Sequence, residues 1–64
     1  MARIEHKTVA SGIIGHYDHE WEVQRLYDRK NDSECYNLYI NKEYIDYFPS
    51  VVEALSVLVE NFKE

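Results

Sequence analysis

The side chains with chemistry to offer are few: three histidines, one cysteine and twelve acidic residues in 64. His16 and His19, with Asp18 and Glu20 beside them and His6 at a distance, are the donor types of a zinc site. A His-x-x-His pair on a helix would place both imidazoles nearly on one face. Here Gly15-His16-Tyr17-Asp18 carries turn residues, and zinc takes four well-placed ligands. The expectation is a surface turn and no metal. Cys35 as a nucleophile would need a lowered pKa. No basic residue adjoins it and Glu34 works the other way, so a small packing residue in a strand is expected. Glu20 and Glu22 share one strand face by their spacing. Acid–base catalysis needs a cleft that drives two such pKa values apart, and surface carboxylates of an acidic protein are the simpler reading. There is no Gly-rich phosphate loop and no Gly-x-Ser-x-Gly elbow. The chain therefore reads as non-enzymatic, with no catalytic residue and no cofactor.

The remaining composition narrows the classes. At 45% hydrophobic and 30% charged residues, with two Gly and one Pro, the chain reads as one small globular domain, residues 1–64. A domain of this size buries only about 60% of its unfolded surface, which leaves little room for a deep ligand pocket. A net charge of −5 argues against direct binding to nucleic acid or to anionic membranes, and suits a partner of basic character. No apolar run has the length of a membrane span. Met1–Lys7 lacks the apolar core of a secretory signal and Cys35 has no second cysteine to pair with, so the cytoplasm is the expected compartment.

Four elements with period two and one with period 3.6 must position these groups. Ser50 and Glu53 form a capping box ahead of an amphipathic helix at about residues 50–63. Its apolar arc of roughly 160° holds Val51, Val52, Ala54, Leu55, Leu58, Val59 and Phe62, with Val57 pointing among the polar residues. Leu55, near the centre of the arc, is expected against Leu38 and Ile45. In Cys35–Ile40 the residues Tyr36, Leu38 and Ile40 share a face, and Asn41-Lys42 is a two-residue hairpin loop into Glu43–Phe48. That register sets Leu38 opposite Ile45, Tyr36 opposite Tyr47 and Tyr39 opposite Tyr44. Glu20–Asp28 alternates as well, with Trp21, Val23, Arg25 and Tyr27 on one face. A loop at residues 30–33 would set Tyr27 opposite Tyr36 and Val23 opposite Ile40. Ile4–Ala10 reads as a short first strand, followed by a bend at Ser11-Gly12, with Ile13 and Ile14 at the core edge. The predicted fold is α+β: an antiparallel meander sheet of three or four strands, with the C-terminal helix packed on one face.

Six tyrosines and one tryptophan are more than one face of so small a sheet can bury. Tyr39 and Tyr44 fall on the face away from the helix, Tyr17 falls in a turn, and Asp18, Glu43 and Asp46 lie among them. Tyrosine and tryptophan are enriched at protein interfaces, where each gives a rigid area with a polar tip. Tyr39, Tyr44, Glu43 and Asp46 are accordingly the candidate partner-binding residues. The segment Asp46-Tyr47-Phe48-Pro49-Ser50-Val51-Val52-Glu53-Ala54-Leu55 resembles an ending seen in short phage and mobile-element proteins, in which aromatics close a strand and a capped helix follows. The resemblance covers about the last 25 residues and carries over no functional residue. It implies a small accessory or inhibitor protein that acts by binding a host enzyme, and the expected function is a non-enzymatic protein-binding domain that inhibits or modulates a larger host protein, one that handles nucleic acid. Two alternatives stand beside this: a structural homo-oligomer, such as a homodimer, assembled through the open sheet face or an edge strand, and an acidic mimic of DNA.

Overall fold

The computed structural model describes residues 4–62. Four antiparallel strands follow one another as neighbours: β1 (Ile4–Ile14), β2 (His19–Asp28), β3 (Ser33–Ile40) and β4 (Glu43–Phe48). One helix, α1 (Val51–Asn61), closes the chain and lies on one face of the sheet. The architecture is the α+β meander that the alternating patterns predict. Of the predicted helix, residue 63 lies outside the described residues.

The helix starts where its cap says it should. Pro49 has no amide proton for a sheet ladder, and the Ser50 side chain accepts a hydrogen bond from the Glu53 amide at 3.3 Å. Its buried side is a narrow one. Ala54 and Leu58 are buried, one turn apart, against Val23 of β2 and Leu38 of β3. Val51, Leu55 and Phe62 flank them from the helix, while Ala10, Ile14, Trp21, Tyr36, Ile40 and Phe48 do so from the sheet. The helix is thus rolled toward its Ala54 side, where the absence of a long side chain lets it approach the strands. The predicted arc was centred too far round. Val52 and Val59 are 73% and 58% exposed, and Val57 is half-buried rather than solvated.

Two predicted registers and one predicted bend give way to the observed arrangement. Tyr39 pairs with Tyr44 as expected, but a bulge between Leu38 and Tyr39 leaves Ile45 as the extra residue of β4. Beyond it Leu38 faces Asp46 and Tyr36 faces Phe48. Phe48 therefore takes the core position predicted for Tyr47, and Ile45 lies outside the core that Leu55 was expected to share with it. The turn between β2 and β3 is Arg29–Asp32 and not 30–33. Val23 consequently faces Leu38, Arg25 faces Tyr36 and Tyr27 faces Glu34. This two-residue slip preserves every face, because side chains alternate with period two, but it changes every neighbour. β1 does not bend at Ser11-Gly12. It runs straight through to Ile14 with a bulge between Thr8 and Ala10. Gly12 is there because Trp21, directly opposite, lays its indole over it: a Cβ on Gly12 would stand 2.9 Å from the ring. Ile14 reaches the core edge, whereas Ile13 on the other face is 65% exposed.

The molecule measures 41 × 19 × 15 Å, and an 11-residue helix spans only about 16 Å at 1.5 Å per residue. The helix therefore covers one half of its face. On the uncovered half the helix-side positions are Glu5, Lys7, Arg25, Tyr27 and Glu34, and they cover themselves. Arg25 donates to Glu34 at 2.6 Å and stacks 5.2 Å over the Tyr27 ring. Arg29 donates to Glu5 at 3.1 Å. The switch from Trp21 and Val23 to Arg25 and Tyr27 along β2 marks where the helix stops.

Candidate functional site

The second face of the sheet has no helix on it, and the registers lay it out in rows across the strands. Nearest the β3–β4 turn, Ile13 of β1 faces Glu20 of β2. The next row crosses all four strands as Ser11, Glu22, Tyr39 and Tyr44, and the one after it as Thr8, Gln24, Asn37 and Tyr47. Further out come His6, Leu26 and Cys35. The centre of this face is polar, and its β4 edge is a line of tyrosines.

Tyr39 and Tyr44, both named by the sequence, meet edge to face with ring centroids 5.8 Å apart and planes at 66°. Tyr44 is 51% exposed. Partial burial, and then the negative charge of Asp46, hold its hydroxyl pKa above the usual value. Glu43 and Asp46 take register positions on the helix side, opposite Ile40 and Leu38. In the predicted register Asp46 would have shared the open face with Tyr39. The bulge at Ile45 moves it off, and its carboxylate accepts the Tyr47 amide at 2.7 Å. The carboxylates that lie near these tyrosines on the open face are Glu20 and Glu22. Glu22 lies directly opposite Tyr39. Their spacing on one strand face was legible in the sequence. Their nearness to Tyr39 depended on the two-residue register slip and was not.

Glu22 is held in place. Thr8 donates its hydroxyl to the Glu22 carboxylate, and Gln24 donates its side-chain amide to the same oxygen at 3.2 Å. These two bonds, Thr8 first, keep the Glu22 pKa below the ordinary carboxylate value, so the group is anionic at neutral pH. A groove of about 350 Å³ runs beside it, lined by Ser11, Ile13, Glu20, Glu22, Tyr39 and Lys42, with Thr8, Gly12 and Trp21 completing the wall. That volume is at the low end of what small-molecule sites occupy, roughly 300–1,000 Å³.

The β3–β4 turn fixes the end of this groove. Asn41 and Lys42 both have positive φ, 52° and 68°, the pairing a two-residue hairpin turn of right-handed twist requires. Asn41 tolerates that conformation well; Lys42 holds a position where glycine is usual. The Asn41 backbone amide donates to the Glu20 carbonyl at 2.6 Å, and its side-chain oxygen accepts the Glu20 amide at 3.1 Å. With Oδ1 so engaged, Nδ2 faces His19 and donates to its Nδ1 at 2.9 Å. His19 also packs against Phe62, with ring centroids 5.0 Å apart. The imidazole is thereby used to tie the turn, β2 and the helix end together. His16 lies in the preceding turn, which Gly15 opens at φ 85°. Among the described residues no group of three or more His, Cys, Asp or Glu is placed to share a metal ion. Cys35 is half-buried on the open face beside Leu26 and Ile4. No helix among the described residues is long and apolar enough to cross a membrane.

Both edges of the sheet are interrupted. β1 carries its bulge at Val9 and β4 carries one at Ile45. A bulge breaks the run of free amides and carbonyls that a second strand would need, so neither edge is a continuous template for pairing. Compared with protein-family models, with curated proteins and with solved structures, the chain has no significant match in any of the three.

Proposed function

We propose that this chain is a small non-catalytic protein-binding domain that acts in the cytoplasm, docking a larger protein of basic character on its open sheet face. The observation that carries this reading is the Tyr39–Tyr44 pair, set on a sheet face that has no helix and next to the anchored carboxylate of Glu22. Tyr47, 64% exposed, extends the aromatic edge. Rigid aromatics beside fixed charge are the usual make-up of a docking surface, and the net charge of −5 favours approach to a basic partner. An accessory protein of phage or mobile-element type that inhibits or modulates a host protein handling nucleic acid fits this surface. The candidate residues become Tyr39, Tyr44, Glu20 and Glu22, with Glu43 and Asp46 at the β4 rim adding to the field that steers association.

Self-assembly through an edge strand is disfavoured by the two bulges, which leaves face-to-face pairing for a homo-oligomer. That pairing would bring Glu20 and Glu22 of two copies together. A DNA mimic needs an unbroken acidic surface, and here Arg25 and Arg29 are paired into the charge pattern. The test is kinetic. With a partner recovered by affinity capture, Tyr44→Ala is expected to speed dissociation by about 1 kcal/mol or more. Asp46→Lys is expected to slow association and flatten its salt dependence. Binding indifferent to both changes would overturn the reading, and direct competition by duplex DNA would favour the mimic.

A further inference from the structure

We propose that the groove on the open face receives one arginine side chain of the partner, with Glu22 meeting the guanidinium and Ile13 and Tyr39 flanking its aliphatic stem. The inference rests on the protein-binding reading and names the chemistry of that same surface. Four observations converge on it. The cavity is a groove of about 350 Å³ that accommodates one extended side chain. Glu22 is immobilised by Thr8 and Gln24, so a guanidinium approaching it would not have to order a loose carboxylate. A planar fork of N–H donors is the group best matched to a carboxylate, and it stacks well on a tyrosine ring. Ile13, 65% exposed, supplies an apolar wall of the kind along which arginine stems lie. Two carboxylates, Glu20 and Glu22, face one ammonium, Lys42, so the groove carries a net negative charge.

Lys42 sharpens the proposal. It sits at φ 68°, where glycine would be less strained, and it places a like charge at the rim of a cation site. The strain is borne by the fold whether or not the groove is filled, and only the like charge acts on binding. It weakens a lone cation and leaves the groove to an arginine that also gains contacts across the rest of the face.

The test needs no partner. The probe is N-acetyl-arginine methylamide, with the citrulline analogue as its neutral isostere, titrated into the 15N-labelled chain at fixed ionic strength. Saturable shifts are expected at Gly12, Ile13, Glu22 and Tyr39 with the arginine probe and not with citrulline. Glu22→Gln should weaken that response about tenfold, since a charge-assisted bond becomes a neutral one. Lys42→Gly should strengthen it about two- to fourfold by removing a like charge across the groove. Equal responses to both probes, an unaltered response in Glu22→Gln, or a weaker one in Lys42→Gly would each overturn the assignment. A recovered partner that protects the helix side would remove the docking surface and leave the probe result unaltered, so the two failures are distinguishable.

Discussion

The helix makes a sharp stability prediction, because two of its aliphatic residues lie at opposite extremes of exposure. Leu58 is 2% exposed and is one of the four buried residues that form the core among the described residues. Val52 is 73% exposed. Leu58→Ala removes buried methyl groups and leaves a cavity between the helix and Val23 and Leu38, at a cost of about 2–5 kcal/mol. The whole stability of a chain this short is on the order of 3–10 kcal/mol at 0.05–0.15 kcal/mol per residue. The substitution therefore takes a large part of it. At about 4–8 °C per kcal/mol for a domain of this size, the midpoint should fall by roughly 8 °C at the least. Val52→Ala should stay within about 0.5 kcal/mol of the parent, as surface changes do. The assay is thermal unfolding followed by Trp21 fluorescence, since Trp21 packs on that core, with circular dichroism as a second probe. If the two substitutions cost the same, the helix does not lie on its Ala54–Leu58 side and the roll described above is wrong.

Ser50→Ala removes the one side-chain acceptor seen at the helix start and should cost about 0.5–2 kcal/mol; an unchanged denaturation midpoint would place the helix start elsewhere. Gly12→Ala puts a methyl group 2.9 Å from the Trp21 ring, so the midpoint should drop and the tryptophan emission maximum should move, and a wild-type spectrum would contradict the stacking. Glu5 is held below its usual pKa by its bond to Arg29, and Glu22 by Thr8. Depressed folded-state values mean stability that is present above the ordinary carboxylate value of 4.5 and lost as pH falls through the folded-state values. Melting from pH 7 down to pH 3 should show that loss, reduced in Glu5→Gln, and a midpoint that rises on acidification would reverse the sign.

What the sequence disclosed depended on whether a side-chain type or a backbone choice made the decision. The alternation through Tyr36, Leu38 and Ile40 is a side-chain pattern, and it identified β3 and its buried face. Asn41 disclosed the tight turn, since few residues hold positive φ so readily, and the turn in turn fixed Tyr39 opposite Tyr44. The bulge at Ile45 has no such mark. An extra β-branched residue in a strand looks like any other strand residue, so Phe48 and Tyr47 exchanged faces unannounced. Asp32, at φ 48°, closes the β2–β3 turn one residue before the predicted loop ends, and Arg29 opens it one residue sooner. Within the unbroken polar run from Asp28 to Glu34 nothing local distinguishes those registers. Gly12 suggests a bend because glycine usually marks one, while its actual reason is a ring from the neighbouring strand. The groove inherits these gaps: its residue types were visible, but their meeting required Glu22 opposite Tyr39.

The half-length helix implies a gradient of protection along the molecule. Amides near Val23 and Leu38 are shielded by the packed core and should exchange with solvent only when the whole domain opens. Those in the paired segments Ile4–Thr8 and Gln24–Asp28 have ladder bonds and surface ion pairs but no helix above them, and so should exchange through local separation of the hairpin end. The same gradient orders assembly. β3, β4 and α1 are consecutive and make a local unit with the shortest loops to close, whereas β1 pairs with β2 alone. The strand made first on the ribosome is then the last to be secured, and the long hairpin zips from its packed end outward.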